Sequence, residues 1–174
     1  MNYTVAVRAL CEFTARAGDL DLRFTPAPTG LEGMAGHSVV TGRRGPDYET
    51  EVPLSGHYEN LLVRGRADGY DPVANQLEEV KTYRGKLDSV RENHRVVHWA
   101  QAKVYGHLLC QARSLANVRV ALVYYNVATE EETGYDDEDT PPSFDGREGT
   151  RTLSDIRDDE LGFKAAHKRE LGNA

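Results

Sequence analysis

Two carboxylates and an ammonium group are spaced so that folding could bring them to one point. Asp68 ends a β-compatible segment, and Glu79 and Lys81 follow after a turn around Asp71-Pro72. Hard cations such as Mg²⁺ and Mn²⁺ bind oxygen ligands, often one or two carboxylates. Side chains alternate along a strand, so we expect Glu79 and Lys81 on the same face, with the ammonium beside the carboxylates. This arrangement suits metal-dependent hydrolysis of a phosphodiester.

The same residues have a simpler interpretation, which is a solvated strand end with a Glu–Lys ion pair. Glu78 competes with Glu79, because a one-residue slip in register would exchange their faces. We favour Glu79 because it shares a face with Lys81, and we expect Glu78 on the opposite face.

A helical pattern from about residue 94 to 115 carries Gln101 and Tyr105 four residues apart, on one face. An amide can bond phosphates or bases, and a tyrosine ring can stack on a base. The alternative is an amphipathic helix with a half-buried tyrosine at its rim. His94 and His98 extend the same face, and a metal-binding pair is open there, although the glutamate of a zinc-protease motif is lacking.

His37 follows the small residues of the segment 33–36, which could let a helix approach another element closely. Imidazole can join carboxylates around Mn²⁺ or Mg²⁺, and the alternative is a core or surface histidine. Arg66 and Arg84 lie near the acidic residues and could contact phosphates. Taken individually, each is more typical of a solvated surface charge.

Hydrophobic periodicity and turn residues indicate the elements that position these groups. We predict helices over residues 3–17, 31–41 and about 94–115, and strands over 48–54, 61–68, 77–83 and 118–127. Ser55-Gly56-His57 is interpreted as the turn between the first two strands. The order predicts an α/β fold around a mixed sheet.

Charge is distributed unevenly along the 174 residues, whose net charge is −7. Residues 130–174 contain 14 Asp and Glu against 6 Lys and Arg, whereas residues 1–129 are nearly balanced. A nucleic-acid partner is therefore compatible with the first part of the chain. We predict one domain over residues 1–128 and an acidic tail of low order over 129–174.

Cysteine content and hydropathy limit the other classes of protein. Cys11 and Cys110 are the only cysteines, so a four-cysteine zinc or iron–sulfur site is excluded, and we expect buried free thiols. No apolar run approaches the roughly 18 residues of a membrane span. The first residues lack the features of a signal peptide, which leads us to expect a cytoplasmic protein with no membrane partner.

Together these segments resemble the PD-(D/E)xK nuclease superfamily, in its RecB/Cas4-like branch. Four segments match the motifs of that branch in order: Gly33-Met34-Ala35-Gly36-His37, Gly65-Arg66-Ala67-Asp68, Glu79-Val80-Lys81 and Gln101-Ala102-Lys103-Val104-Tyr105. The resemblance covers roughly residues 1–128. It is greatest to the nuclease domain that precedes the helicase motor in bacterial Rad3/DinG-like DNA helicases.

The resemblance implies a restriction-endonuclease-like mixed β-sheet flanked by helices. It implies Mg²⁺ or Mn²⁺ held by His37, Asp68, Glu79 and the backbone carbonyl of Val80, with Lys81 as a catalytic residue. It also implies DNA contacts by Gln101 and Tyr105. The 174 residues contain no Gly-x-x-x-x-Gly-Lys-Ser/Thr loop, so a helicase motor would have to be a separate subunit or a missing domain.

The sequence therefore leads to two hypotheses. The first is a metal-dependent deoxyribonuclease that acts on single strands or DNA ends and is related to helicase-associated nucleases of DNA repair. The second is a non-catalytic DNA-binding remnant of a larger helicase-nuclease, in which the acidic tail masks a basic face. A nuclease directed at RNA would use the same site, because substrate choice depends on groove shape.

Overall fold

A mixed β-sheet with helices on both faces forms the framework of this protein. The computed structural model describes residues 3–15 and 28–136, together with the backbone of residues 151–152. The strands are β1 Tyr3–Ala6, β2 Glu49–Tyr58, β3 Leu61–Asp71, β4 Gln76–Tyr83, β5 Asn117–Asn126, β6 Glu132–Asp136 and β7 Arg151–Thr152. The helices are α1 Val7–Thr14, α2 Gly30–Gly42 and α3 Glu92–Arg113, and a 3₁₀ turn covers Leu87–Ser89. The predicted α/β fold with a mixed sheet is confirmed.

The central path of the sheet has the order β1-β3-β4-β5-β6, with β2 on the other edge of β3 and β7 on β5. β1 with β3 and β4 with β5 are parallel, and β2 with β3, β3 with β4 and β5 with β6 are antiparallel. β1 and β4 share one edge of β3. They pair with different parts of it, β1 with residues 61–64 and β4 with residues 69–71. A gap in the ladder therefore lies between them.

Two hydrophobic clusters lie on opposite faces of the sheet. The larger one joins α1 and α3 to the sheet and includes Leu77 of β4 and Leu108 of α3. The smaller one joins α2 to the other face through Val40, Val80 and Val123. Alternation along β4 explains the division, because neighbouring strand residues face opposite sides. Residues 79 and 81 consequently face α3, whereas residues 78 and 80 face α2.

The amino-terminal prediction was wrong in part. Residues 3–6 form β1, which pairs in parallel with residues 61–64, and α1 begins only at Val7. This pairing joins residues far apart in sequence, and such contacts override a local helical pattern. The end of the predicted helix, residues 16–17, lies outside the described residues.

The predicted turn at residues 55–57 was also wrong, since β2 continues through it to Tyr58. The chain turns at Glu59 and Asn60 instead, and Glu59 has a φ of 54°. Gly56 is required for a close approach of α3. A Cβ there would lie 2.6 Å from the Leu108 side chain. A glycine inside a strand often marks such an approach.

The predicted boundary at residue 128 lies too early in the chain. Residues 132–136 form β6, which pairs with β5, and the Tyr135 ring packs edge-on against Tyr124. The prediction of low order was therefore wrong for this segment, because pairing with a central strand outweighs its acidic composition. The remainder of the predicted tail, residues 137–150 and 153–174, lies outside the described part of the chain.

Candidate functional site

The predicted acidic residues meet where β3 and β4 separate. The two strands pair only from Gly69 opposite Glu78 onward, and the ladder ends at that pair. Asp68 immediately precedes Gly69 in β3, just outside this ladder. Its Oδ2 accepts a hydrogen bond from the backbone N–H of Val80 across 2.7 Å. The carboxylate thus takes the place of the missing ladder bond. We call this opening, between Asp68 on β3 and Glu79 and Val80 on β4, the strand fork.

α2 brings His37 to the strand fork. His37 Nδ1 lies 3.0 Å from Asp68 Oδ1, and this hydrogen bond, with the charge of Asp68, raises the pKa of the histidine. The helix can approach because of Gly36. A Cβ on that residue would lie 2.6 Å from Thr82 Cγ2 and 3.0 Å from the Tyr125 ring. The predicted role of small residues before the histidine agrees with this packing.

Glu79 and Lys81 lie on the α3 face of β4, as their alternation predicts. Lys81 Nζ donates to Glu79 Oε1 across 2.7 Å and to Gln101 Oε1 across 2.7 Å. Glu79 is 5% exposed. Burial raises the pKa of its carboxyl to about 7, the negative charge of Asp68 adds to this rise, and Lys81 opposes it. Glu79 Oε2 is buried and has no hydrogen-bond partner among the described residues.

Gln101 and Tyr105 face the site from α3, but both are buried, at 4% and 8% exposure. The amide of Gln101 is held by Lys81, as described above. The Tyr105 hydroxyl contacts the backbone of Arg66, and its ring packs on Gly65, where a Cβ would lie 2.5 Å from the hydroxyl oxygen. Burial raises the pKa of this tyrosine. In this arrangement Gln101 holds Lys81 and Tyr105 packs on β3, both from the α3 face of the sheet.

The two predicted basic contacts lie on the surface. Arg66 donates to Glu51 across 2.9 Å, and both side chains are largely exposed. Arg84 pairs with Glu32 at the start of α2. Exposed ion pairs of this kind contribute little and exchange readily with other partners. Both guanidinium groups are therefore accessible to a phosphate, although neither contacts the acidic residues of the fork.

Glu78 lies on the opposite face of β4, as expected. Its Oε2 accepts hydrogen bonds from Arg44 Nε at 2.8 Å and from the Tyr48 hydroxyl at 2.9 Å. Arg44 also pairs with Glu132 of β6. Burial and the charge of Glu78 raise the pKa of Tyr48. Sequence analysis missed Arg44 and Tyr48, since their partners are remote in the chain.

His98, predicted on the same helix face as Gln101, and Cys11 also lie near Lys81. His98 Nδ1 lies 2.9 Å from the Tyr124 hydroxyl. Its pKa is well below the usual value, through burial and then the charge of Lys81. Burial, and then the charge of Glu79, raises the pKa of the Cys11 thiol to about 12. Helical periodicity placed His98 on this face, one turn before Gln101, whereas nothing in the sequence indicates Cys11.

The residues at the strand fork determine whether a metal ion could bind there. Within residues 3–15 and 28–136, no three His, Cys, Asp or Glu side chains stand at metal-binding separation. The residues at the fork nevertheless suit a cation, because the unpartnered Glu79 oxygen and the nearby Asp68 charge both call for a positive partner. The engagement of His37 Nδ1 with Asp68 leaves Nε2 as the nitrogen available to a metal.

The backbone of Val80 also faces the fork. Its N–H donates to Asp68, and the N–H and C=O of one strand residue point to the same edge of the strand. The Val80 carbonyl therefore points toward β3, into the gap. A carbonyl and two carboxylates are the hard oxygen donors that Mg²⁺ and Mn²⁺ prefer.

The cysteines and the helix lengths bear on two further predictions. Cys11 and Cys110 are both buried and free, as expected. None of the helices in the described part of the chain is both long and apolar enough to cross a membrane.

Comparison with known proteins supports the fold alone. No family profile matches this chain, and no curated protein matches it. Eight solved chains match its structure. Among them is the crystal structure of SSO0001, with 18% identity and a TM-score of 0.50, covering 78% of this chain and 68% of that one. At this identity the likeness extends to the mixed α/β fold and carries no function.

Proposed function

We propose that this protein is a metal-dependent nuclease that hydrolyses phosphodiester bonds in DNA, on single strands or at ends. The observation that carries the proposal is the buried Glu79 carboxylate, with one oxygen on Lys81 and the other without a partner, beside Asp68 at the strand fork. A structural ion pair alone would not require a second carboxylate, the half-buried Asp68, near it. Buried charges normally find full compensation, and a buried carboxyl whose pKa is raised beside another charged group often marks a functional site.

The proposal assigns Asp68, Glu79 and the Val80 carbonyl, with His37 as a further candidate ligand, to Mg²⁺ or Mn²⁺. A divalent ion there would polarise the phosphate and lower the pKa of a bound water. Asp68 is oriented for this by His37 and by the Val80 N–H, so its position is fixed before any ligand arrives. Such preorganisation favours binding because little order has to be created.

Lys81 is the proposed catalytic cation. Two of its three N–H donors are used by Glu79 and Gln101, which leaves the third for an attacking water or a phosphate oxygen. An ammonium in that position would stabilise the negative charge that develops on the phosphate. The buried amide of Gln101 accepts a hydrogen bond from the Lys81 ammonium and so fixes its direction.

We propose that the side chains of Arg66 and Arg84 contact the phosphate backbone of the DNA. On β3, Arg64 and Arg66 alternate onto the same face as Asp68 and are exposed. A phosphate chain could follow these two side chains to the fork. Contacts of this kind position a strand without reading its bases. Tyr105 and Gln101 would reach DNA only after a local rearrangement, since both are buried.

The deciding experiment is cleavage of end-labelled single-stranded and duplex DNA by the purified chain in Mg²⁺, in Mn²⁺ and in EDTA. Lys81→Ala is compared with Lys86→Ala, which removes an exposed lysine five residues further along. We expect metal-dependent cleavage that is lost in the first variant and kept in the second. Thermal melting of both variants shows that they fold.

Failure of a folded wild-type chain to cut either substrate would contradict the nuclease proposal. DNA binding without cleavage would then support the non-catalytic remnant. Cleavage that appears only after addition of a helicase would support the proposed helicase partner.

A further inference from the structure

A partly buried polar network, centred on the buried Glu78 carboxylate, lies beside the strand fork. Glu78, the residue before Glu79, accepts from Arg44 at 2.8 Å and from Tyr48 at 2.9 Å, and its side chain is 8% exposed. Gln76 donates to the other Glu78 oxygen across 3.1 Å. Both oxygens of this carboxylate are therefore engaged, unlike those of Glu79. A buried carboxylate whose two oxygens both accept hydrogen bonds makes the local structure rigid.

Tyr48 also contacts the backbone on the opposite side of the fork. A Cβ on Gly69 would lie 1.8 Å from the Tyr48 hydroxyl oxygen, so the phenol rests on the glycine itself. Gly69 is paired with Glu78, and this is the last pair before the strands separate. One side chain thus touches both strands at the end of their ladder. Gly69 follows Asp68, just as Glu78 precedes Glu79.

The same network reaches the helix that carries His37. α2 ends at Gly42, and Arg44 follows two residues later with its guanidinium on Glu78. Arg44 is bonded in turn to Glu132 of β6. Each element that supplies a proposed metal ligand is therefore tied to Glu78. β4 contains it, β3 is linked to it through the contact of Tyr48 with Gly69, and α2 is linked to it through Arg44.

We propose that Arg44, Tyr48 and Glu78 act as a clamp that fixes how far β3 and β4 open, and thereby sets the separation of the Asp68 and Glu79 carboxylates. The expected effect of this clamp on metal binding rests on the proposed function. Its structural part, the opening of the fork, stands independently. The three residues are positioning residues, since they contact the neighbours of the ligands and not the ligands.

Tyr48→Phe is the sharpest variant, because it keeps the ring on Gly69 and removes only the bond to Glu78. The matched control is Tyr70→Phe, which removes another phenol bond of 2.9 Å, to Asn75 at the turn between β3 and β4. Both variants lose one hydroxyl. Only the first should loosen the fork.

The first measurement is amide hydrogen exchange by NMR on the full chain without metal. The Val80 N–H, which is bonded to Asp68, should exchange on the order of tenfold faster in Tyr48→Phe, relative to the Leu122 amide of β5, since a bond to a charged group has been lost. In Tyr70→Phe this ratio should keep its wild-type value. A wild-type ratio in Tyr48→Phe would overturn the clamp.

The second measurement is calorimetric titration with Mn²⁺. We expect about tenfold weaker binding in Tyr48→Phe and wild-type affinity in Tyr70→Phe, because outer partners of metal ligands contribute at this level. Faster Val80 exchange with unchanged Mn²⁺ affinity would overturn the link from the fork to the metal. A wild-type chain that binds no Mn²⁺ and cuts no DNA would overturn the proposed function, while the exchange experiment would still decide the clamp.

Discussion

Asp68 of β3 accepts a hydrogen bond from the backbone N–H of Val80 on β4, across 2.7 Å, at the point where the two strands part. One carboxylate therefore caps a broken ladder and stands beside a second, buried carboxylate. An unpaired N–H at this place would be costly, so Asp68 has a structural role as well as a proposed chemical one.

Asp68→Asn should lower the pKa of His37, because the raised pKa of that imidazole comes first from its hydrogen bond to Asp68 and then from the carboxylate charge. The amide keeps the size of the side chain. Titration of the His37 ring by NMR measures the change, with exposed His57 as the internal reference. An unchanged His37 pKa would show that the 3.0 Å contact does not form in solution. Metal-dependent cleavage should also be lost in this variant.

Glu79 should make the metal-free protein less stable as the pH rises. Folding raises the pKa of this carboxyl from 4.5 to about 7. The folded state thus binds more protons than the unfolded state between those values, and the free energy of unfolding falls as the pH increases through that window. The loss attributable to Glu79 is about 2–3 kcal/mol.

Urea unfolding in EDTA at several pH values from 5 to 8 measures this effect. In Glu79→Gln the decline below pH 7 should be largely removed. His37 contributes a decline in the same direction, since stability from its raised pKa is lost as the pH rises through the folded value, and this part should persist in the variant. Equal pH slopes in both proteins would contradict the buried, protonatable state of Glu79.

Gln101→Leu should slow cleavage on the order of a hundredfold while changing DNA affinity little, because misdirecting a catalytic group by about 1 Å costs this much. The leucine fills a similar volume but offers Lys81 no acceptor in place of the 2.7 Å bond. Single-turnover rates and DNA binding are measured on the same samples. Gln111→Leu, an exposed position on the same helix, is the control. A weaker affinity with an unchanged rate would instead indicate direct DNA contact by Gln101.

Gly36→Ala should destabilise the fold by about 1–3 kcal/mol, because the added methyl group overpacks a close contact. The methyl would meet Thr82 Cγ2 at 2.6 Å and push α2 away from the sheet. Thr82→Ser removes that methyl and should recover part of the loss in the double variant. Denaturant unfolding of the four proteins gives the coupling energy. Simple additivity of the two changes would contradict the contact.

The local sequence pattern predicted much of the sheet and the face of β4 on which each side chain lies. Strand alternation placed Glu79 with Lys81 and put Glu78 on the other side, and the structure agrees. Helical spacing likewise placed Gln101 and Tyr105 on one face of α3. These predictions succeed because a side chain's direction depends on its own strand or helix, which is a local property.

Tertiary structure alone decided the features that join distant segments. β1 exists because residues 61–64 offer an edge to residues 3–6, and β6 exists because β5 offers an edge to residues 132–136. The strand fork depends on where two ladders stop along β3, and the Tyr48 phenol reaches Glu78 only after the hairpin has folded. Residue types in the sequence supplied the acids, the lysine and the amide. Their convergence required long-range pairing, which no local period encodes.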